Sequence, residues 1–370
     1  MKRKCFWNML SNMKKRLLWL DMARGMAILI VVLSHSLLQC VQEQQGQIDD
    51  SELLRIICSF QMPLFMFISG VATYLSLVGN ESAMNGIEFI KKRIKLLLVP
   101  FVAWIFVPYF FISHSFPLQE VFLRLKTVAK SPDYALWFLY VLFVIDCFFF
   151  IMWHVNKKTR IPFVILTVFI YYALFFLIKI FHFNYFGVAL IKTHIRYFMA
   201  GYIIYKLHEN CLCRYKKIEY IILFFLSACF ILTARFWYWS GKPAFMDFDS
   251  IKASGYIVSN CLCKIYEWLL PYCGISMVII LALVFSKIRF LSSFRIVGTY
   301  TLEIYAMHLY GFTFIDFFGY TAVGIVMDTF MGIAFSMLVA YLLKGSVLSR
   351  ILFGKNINNT RKLVVLNDEK

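Results

Sequence analysis

Apolar residues run along this chain in long blocks, not in the short alternations that mark half-buried strands. Ten blocks are long enough to cross a bilayer. They lie near 17–38, 56–78, 96–113, 134–154, 161–182, 186–205, 218–234, 265–286, 297–318 and 322–343. The third and seventh are the shortest, and the sixth is the most polar. A membrane strand needs only about 10 residues, so blocks of this length predict helices and not a barrel. Of the 38 Lys and Arg residues, 26 fall in segments 1–16, 79–95, 155–160, 206–217, 287–296 and 344–370, and 8 in the alternating set 39–55, 114–133, 183–185, 235–264 and 319–321. Basic residues collect on the cytoplasmic side of membrane helices. The pattern predicts an all-α polytopic membrane protein, a bundle of about ten transmembrane helices with both termini cytoplasmic.

Composition agrees. Of 370 residues, 61% are hydrophobic, 19% aromatic and 16% charged. A soluble domain carries roughly 25% charged residues and has no means of hiding this much apolar surface. The net charge of +18 would suggest nucleic acid in a soluble protein. Here it reports cytoplasmic loops, and no nucleic-acid partner is expected. The first apolar run, Leu17–Leu38, is 22 residues long, longer than the core of a cleavable signal peptide. Ten cysteines include two C-x-C pairs, Cys211/Cys213 and Cys261/Cys263. The predicted topology separates the pairs across the bilayer, so they are read as small side chains near helix ends and no metal is expected. No Pro, Gly or Ser-rich linker and no clear internal repeat interrupts the chain. It reads as a basic cytoplasmic N-terminus (1–16), one membrane domain (17–343) and a short cytoplasmic tail (344–370).

Ionisable groups inside apolar blocks are costly and therefore informative. They are Asp21, Arg24, His35, Asp146, Lys179, Lys192, His194, Arg196, Glu267, Glu303, His308, Asp316 and Asp328. Lys179 and Asp316 sit near helix ends, where snorkelling makes a charge cheap. In the first block Asp21 and Arg24 are three apart and pair on one face. Arg24 and His35 are eleven apart, about three turns and about 16 Å along that face. Alternatively these residues are a structural ion pair and an unrelated packed histidine. In the ninth block Glu303 and His308 are five apart, about 140° round a regular helix. Both reach one ligand only if that helix is distorted; otherwise they serve inter-helical hydrogen bonding. Pro63 and Gly70, in Phe60–Gly70, predict a kink or a close helix contact in the second block. Arg235-Phe-Trp-Tyr-Trp239 reads as an interfacial aromatic belt or as a stacking platform for a sugar.

Five stretches together resemble the acyltransferase-3 family of integral membrane acyltransferases, of the polysaccharide O-acetyltransferase type. They are Leu20–His35, containing an arginine and a histidine with ten residues between them; Phe60–Gly70; Lys92-Arg93-Ile94-Lys95 ahead of Pro100; Leu136-Trp137-Phe138-Leu139; and Thr301–Tyr305 with His308. The family often has two arginines three apart before its third helix; here the cations are Lys92, Arg93 and Lys95. Position 61 is Gln where His is frequent.

The resemblance implies transfer of an acetyl or other short acyl group from acyl-CoA to a hydroxyl of a cell-surface glycan or its lipid-linked precursor. It implies a multi-pass protein of the plasma membrane, the bacterial inner membrane, with acetyl-CoA as co-substrate. A sugar hydroxyl needs a general base near neutral pH, and histidine is suited to that work; His35 is the expected base. Glu303 and His308 would line the acceptor side or assist proton movement. Arg24, Arg93, Lys92 and Lys95 would meet the anionic coenzyme, with Asp21 orienting Arg24. Trp137, Trp237, Trp239 and Tyr305 are read as lining the substrate. No G-x-S-x-G elbow is present, so no serine acyl-enzyme of the hydrolase type is indicated. Two rivals are a transporter or flippase for a glycan or lipid, and a non-catalytic partner in a glycan-assembly complex.

Overall fold

The computed structural model describes residues 2–77, 86–108, 118–131, 136–210, 216–253, 255–288, 291–312 and 321–354. Among these the regular structure is helical, with no strand. In chain order the helices are α1 (Lys2–Glu43), α2 (Glu52–Cys58), α3 (Gln61–Leu77), α4 (Gly86–Arg93), α5 (Val99–Pro108), α6 (Leu118–Lys130), α7 (Trp137–Thr159), α8 (Phe163–Ile180), α9 (Val188–Asn210), α10 (Lys216–Thr233), α11 (Asp249–Ala253), α12 (Tyr256–Phe285), α13 (Arg295–Thr299), α14 (Thr301–Met307), α15 (Ala322–Leu342) and α16 (Val347–Phe353). Cys211, Cys213, Asp316 and most of the tail lie outside the described residues.

Seven of the ten apolar blocks form helices long and apolar enough to cross a membrane. The other three depart for different reasons. In the third, α4 passes through a π-helical segment, Ile94–Leu98, into α5, and positions 109–113 lie outside the described residues. The sixth forms α9, which is 23 residues long but carries Lys192, Arg196 and Lys206. The ninth breaks into α13, α14 and a 3-10 segment, His308–Gly311.

Local chemistry sets the boundaries. α1 ends in a left-handed cap: Gln45 has φ 59°, its N–H bonds to Gln42 O at 2.9 Å, and Gly46 N–H bonds to Val41 O at 2.8 Å. That pattern satisfies the last carbonyls of a helix. The Ser51 side chain caps α2 by accepting from Leu54 N–H at 3.3 Å. Pro63 does not kink a helix interior. The chain breaks at Ser59–Phe60, and Pro63 falls in the first turn of α3, where a missing N–H leaves no bond unmade. Arg160, at φ 60°, ends α7, and Pro162 starts α8. Only 11% of the most apolar window of α8 and 17% of that of Lys217–Phe236 are buried, as helices that face lipid require.

The chain divides into two compact units, Met1–Ile68 with His208–Leu338, and Ser69–Leu207 with Val339–Lys370. In the first, α1 runs against α13 and α14. A Cβ on Gly298 would lie 1.9 Å from the Asp21 carbonyl oxygen, and one on Gly25 would lie 2.9 Å from the Phe294 carbonyl oxygen. The backbones therefore touch, which no larger residue permits. A second such contact joins Gly311 and Gly332, where a Cβ on Gly311 would lie 2.9 Å from Gly332 Cα; it seats the 3-10 segment on α15. Leu37, Val41, Leu54 and Ile57 close the apolar core beside the α1 cap, with Ile325 packed on them.

The second unit has its own close approach. A Cβ on Gly70 would lie 1.9 Å from the Phe198 carbonyl oxygen, so α3 and α9 also meet backbone to backbone. Asp146 of α7 is 1% exposed and pairs with Arg93 Nε at 3.2 Å. Arg93 Nη2 also donates to Thr73 Oγ1 at 3.1 Å. The C-terminal α16 docks on α5, with Trp104 Nε1–H donating to Leu352 O at 3.0 Å.

Two outcomes follow for stability. Gly298→Val is expected to lower unfolding free energy by about 1–3 kcal/mol through overpacking, while Gly241→Ala, whose Cβ meets nothing nearer than 3.8 Å, stays near wild type; thermal unfolding in detergent reads both. Asp146→Ala leaves a guanidinium without its buried partner and is expected to cost about 3–5 kcal/mol. Asp146→Ala with Arg93→Met in the same chain should recover part of that loss in the same measurement.

Candidate functional site

Parallel descent from the glycine contact sets the first feature. Ten residues beyond Gly25 stands His35, and ten beyond Gly298 stands His308. Their rings meet edge to face, with centroids 4.9 Å apart and planes at 67°. Each Nδ1 lies 2.8 Å from a backbone carbonyl one turn earlier, Val31 O for His35 and Ile304 O for His308. A carbonyl only accepts, so in the neutral ring Nδ1 carries the hydrogen and Nε2 the lone pair. The His308 ring is 2% exposed, and its Nε2 has no hydrogen-bond partner among the described residues. Phe312 packs on it at 5.7 Å. His35 is half-buried.

A helix break precedes His308. α14 stops at Met307 (φ −121°, ψ −11°), and the chain continues as a 3-10 turn, which winds more tightly than an α-helix. Glu303 is buried at 1% exposure, and Tyr305 is half-buried. At the glycine end of α1, Arg24 Nη1 donates to Asp21 Oδ1 at 3.1 Å, both side chains about one-third exposed.

The second feature is the loop that holds Trp237 and Trp239. Their rings lie 6.0 Å apart at 78°. Asp49 clasps this loop. Its carboxylate accepts from Trp239 N–H at 2.6 Å, from Ser240 N–H at 3.0 Å and from the Ser240 hydroxyl. Burial pushes the Asp49 carboxyl up, but these donors and the Arg55 charge outweigh it and hold the group below its ordinary range. Arg55, 7% exposed, donates to Arg235 O at 3.0 Å and stacks its guanidinium 3.9 Å from the Tyr238 ring centre. The aromatic segment is thus tied down from both sides of the α1–α2 connection.

The third feature lies in the second unit. The three cations ahead of Pro100 are not equivalent: Arg93 is committed to Asp146 and Thr73, whereas Lys92 and Lys95 are exposed. Trp137 packs against His194 with ring centres 5.2 Å apart. His194 Nδ1 also meets a backbone carbonyl, Leu190 O at 2.8 Å.

Several of these partners had no sequence signal. Asp49 sits in a polar connection and Arg55 in α2, 190 and 180 residues before the groups they hold. Asp146 stood out as a buried charge, but nothing in the spacing named Arg93 as its mate. The Gly25–Gly298 contact underlies the histidine pair and is visible only in three dimensions. Glu267 is explained locally: it pairs with Lys264 at 2.7 Å and accepts from Cys263 at 3.3 Å. Among the described residues no three His, Cys, Asp or Glu side chains gather as metal ligands.

Neither the curated proteins nor the solved structures contain a match to this chain. A family comparison does return one: residues 17–345 match the acyltransferase domain of the acyltransferase-3 type. That span includes all ten apolar blocks, the paired histidines and the clasped aromatic loop, and the chain belongs to the acyltransferase-3 family of membrane acyltransferases.

Proposed function

We propose that this protein moves an acetyl or other short acyl group from cytosolic acyl-CoA to a hydroxyl of a cell-surface glycan or its lipid-linked precursor. It works as a bundle of about ten helices in the bacterial inner membrane, both termini in the cytoplasm. The observation that carries this reading is the His35–His308 pair, two imidazoles whose Nδ1–H groups are tied to backbone carbonyls.

His35 Nε2 takes the proton as the acceptor hydroxyl attacks the thioester carbonyl carbon. The carbon–sulfur bond then breaks, and the proton passes to the departing coenzyme A thiolate, giving an ester and a free thiol. The Val31 carbonyl keeps the lone pair on Nε2, where a base needs it. His308 stands beside His35 and shares the positive charge that forms there, and Glu303 offsets that charge from the same helix. Arg24, steadied by Asp21, supplies a cation for the coenzyme's phosphates, as do the exposed Lys92 and Lys95. Arg93 holds the helix that presents those lysines, through its pairing with Asp146. Trp137, Tyr305 and the Trp237/Trp239 pair receive the acceptor, whose pyranose faces suit aromatic stacking.

Membranes containing wild type or His35→Ala and supplied with acetyl-labelled coenzyme A test the reading. Label should enter a glycan or lipid-linked fraction with wild type and fall by at least about 100-fold, the low end for loss of a general base, in an equally abundant variant. Equal label from both removes His35 as the base. Transport of glycan without coenzyme A consumption would replace the reading with a transporter.

The aromatic loop gives a separate expectation. Asp49→Asn should raise KM for the acceptor several-fold with little change in kcat. Because its carboxyl titrates below the ordinary range, the clasp is intact above pH ~4 and loosens only as pH falls through the lowered value. Acceptor KM in wild type should therefore be flat from neutrality down to about that pH.

A further inference from the structure

The π-helical turn that carries Lys95 has a cause in the sequence and a clamp in the structure. Pro100 offers no N–H to the carbonyl five residues back, Lys95 O, and its ring crowds the carbonyl four residues back, Leu96 O. The chain widens there: Val99 N–H bonds to Ile94 O, five residues back, and Ile94–Leu98 winds as a π-helix. Single π turns inside α-helices are frequent at functional sites.

The carbonyls beside Pro100 are the ones that the C-terminal helix meets. Gly354 ends α16 at φ 67°, with its N–H bonded to Arg350 O at 3.0 Å. A Cβ on Gly354 would lie 2.5 Å from Lys95 O, 2.8 Å from Leu96 Cα and 3.0 Å from Leu96 O. The glycine hydrogen that stands in that place faces both carbonyls, as in a weak Cα–H···O bond. Glycine alone meets both demands, the left-handed backbone and the missing Cβ. The rest of α16 is pinned around this contact. The Ser346 side chain caps it by accepting from Ser349 N–H at 3.0 Å. Leu352 O accepts from Trp104 Nε1–H, and the buried Phe353 ring lies 6.4 Å from that of Trp104. A helix of seven residues is too short to hold itself together, so the docking orders it.

The π turn is therefore clamped twice. Arg93, just before it, is tied to Asp146 and Thr73, and Gly354 presses on its second and third residues. Lys95 lies between the clamps with its side chain exposed. Lys92, three residues earlier, shares its face.

We propose that α16 is a positioning element of the donor site: through Gly354 it fixes the π turn, so that Lys95 and Lys92 meet the phosphates of acyl-CoA with less freedom to lose on binding. Gly354 touches no substrate and acts through Lys95. The coenzyme's part in this rests on the acyl-transfer reading; the clamp does not.

Coenzyme A affinity, measured on the purified full chain in nanodiscs without acceptor, is the test. Gly354→Ala should weaken binding at least about tenfold, the scale of one lost charge-assisted bond. Gly255→Ala is the control. That glycine has φ 86° but nothing within 4 Å of a Cβ, so the variant carries backbone strain without the clash. Its coenzyme A affinity should stay within about twofold of wild type. In the acyl-transfer assay Gly354→Ala should raise KM for acyl-CoA and leave acceptor KM unchanged, a split that mere loss of folded protein does not produce. Wild-type affinity in Gly354→Ala would overturn the proposal and leave the donor reading standing. Absence of coenzyme A binding by wild type would overturn the donor reading, and the proposal with it. If Gly354→Ala does not fold, Trp104→Phe, which keeps a ring and loses the bond to Leu352 O, decides: weakened coenzyme A binding supports the clamp, and unchanged binding overturns it.

Discussion

Everything placed around the paired histidines depends on two helices touching through their backbones. A Cβ at Gly298 would overlap the Asp21 carbonyl, and one at Gly25 would press on Phe294. In lipid, apolar side chains gain little by leaving one apolar medium for another, so close backbone packing does the work of association. Once α1 and α13 meet there, the chain geometry leaves little choice. Ten residues on, α1 carries His35 and the 3-10 segment after α14 carries His308, and the two rings lie 4.9 Å apart. The Gly311–Gly332 contact then holds the broken end of the ninth block against α15, so the break at Met307 is a fixed bend.

Charge placement follows the same economy. Two of the buried charges have a specific compensation, as the low dielectric demands. Arg93 offsets Asp146, while a ring and a carbonyl hold Arg55, with Asp49 nearby. Each of the paired imidazoles is tied to a carbonyl at one nitrogen, which orients the ring and keeps a lone pair on the other.

The helical class and seven of the spans were legible in the sequence, because block length is a direct consequence of the bilayer. The Asp21–Arg24 pair was legible too, since 3.6 residues per turn fixes which side chains share a face. The close meeting of His308 with His35 was not. A regular helix puts Glu303 and His308 on different faces, and the break of the ninth block after Met307 had no signal in the spacing. The position of Pro63 was misread for a related reason. A proline inside an apolar block suggests a kink, but the preceding turn at Ser59–Phe60 makes it a helix start. The Asp49 and Arg55 clasp was invisible because its partners are far apart in sequence and each residue is ordinary alone.

The central claim is that His35 and His308 act as one unit. A double-mutant cycle on acyl transfer, with His35→Ala, His308→Ala and both together, measures this directly. Groups that work as a unit are not additive. The account predicts that the double variant is no slower than the worse single one. Losses that multiply, so that the double variant falls by the product of the two, would contradict it and leave the rings as neighbours with separate roles.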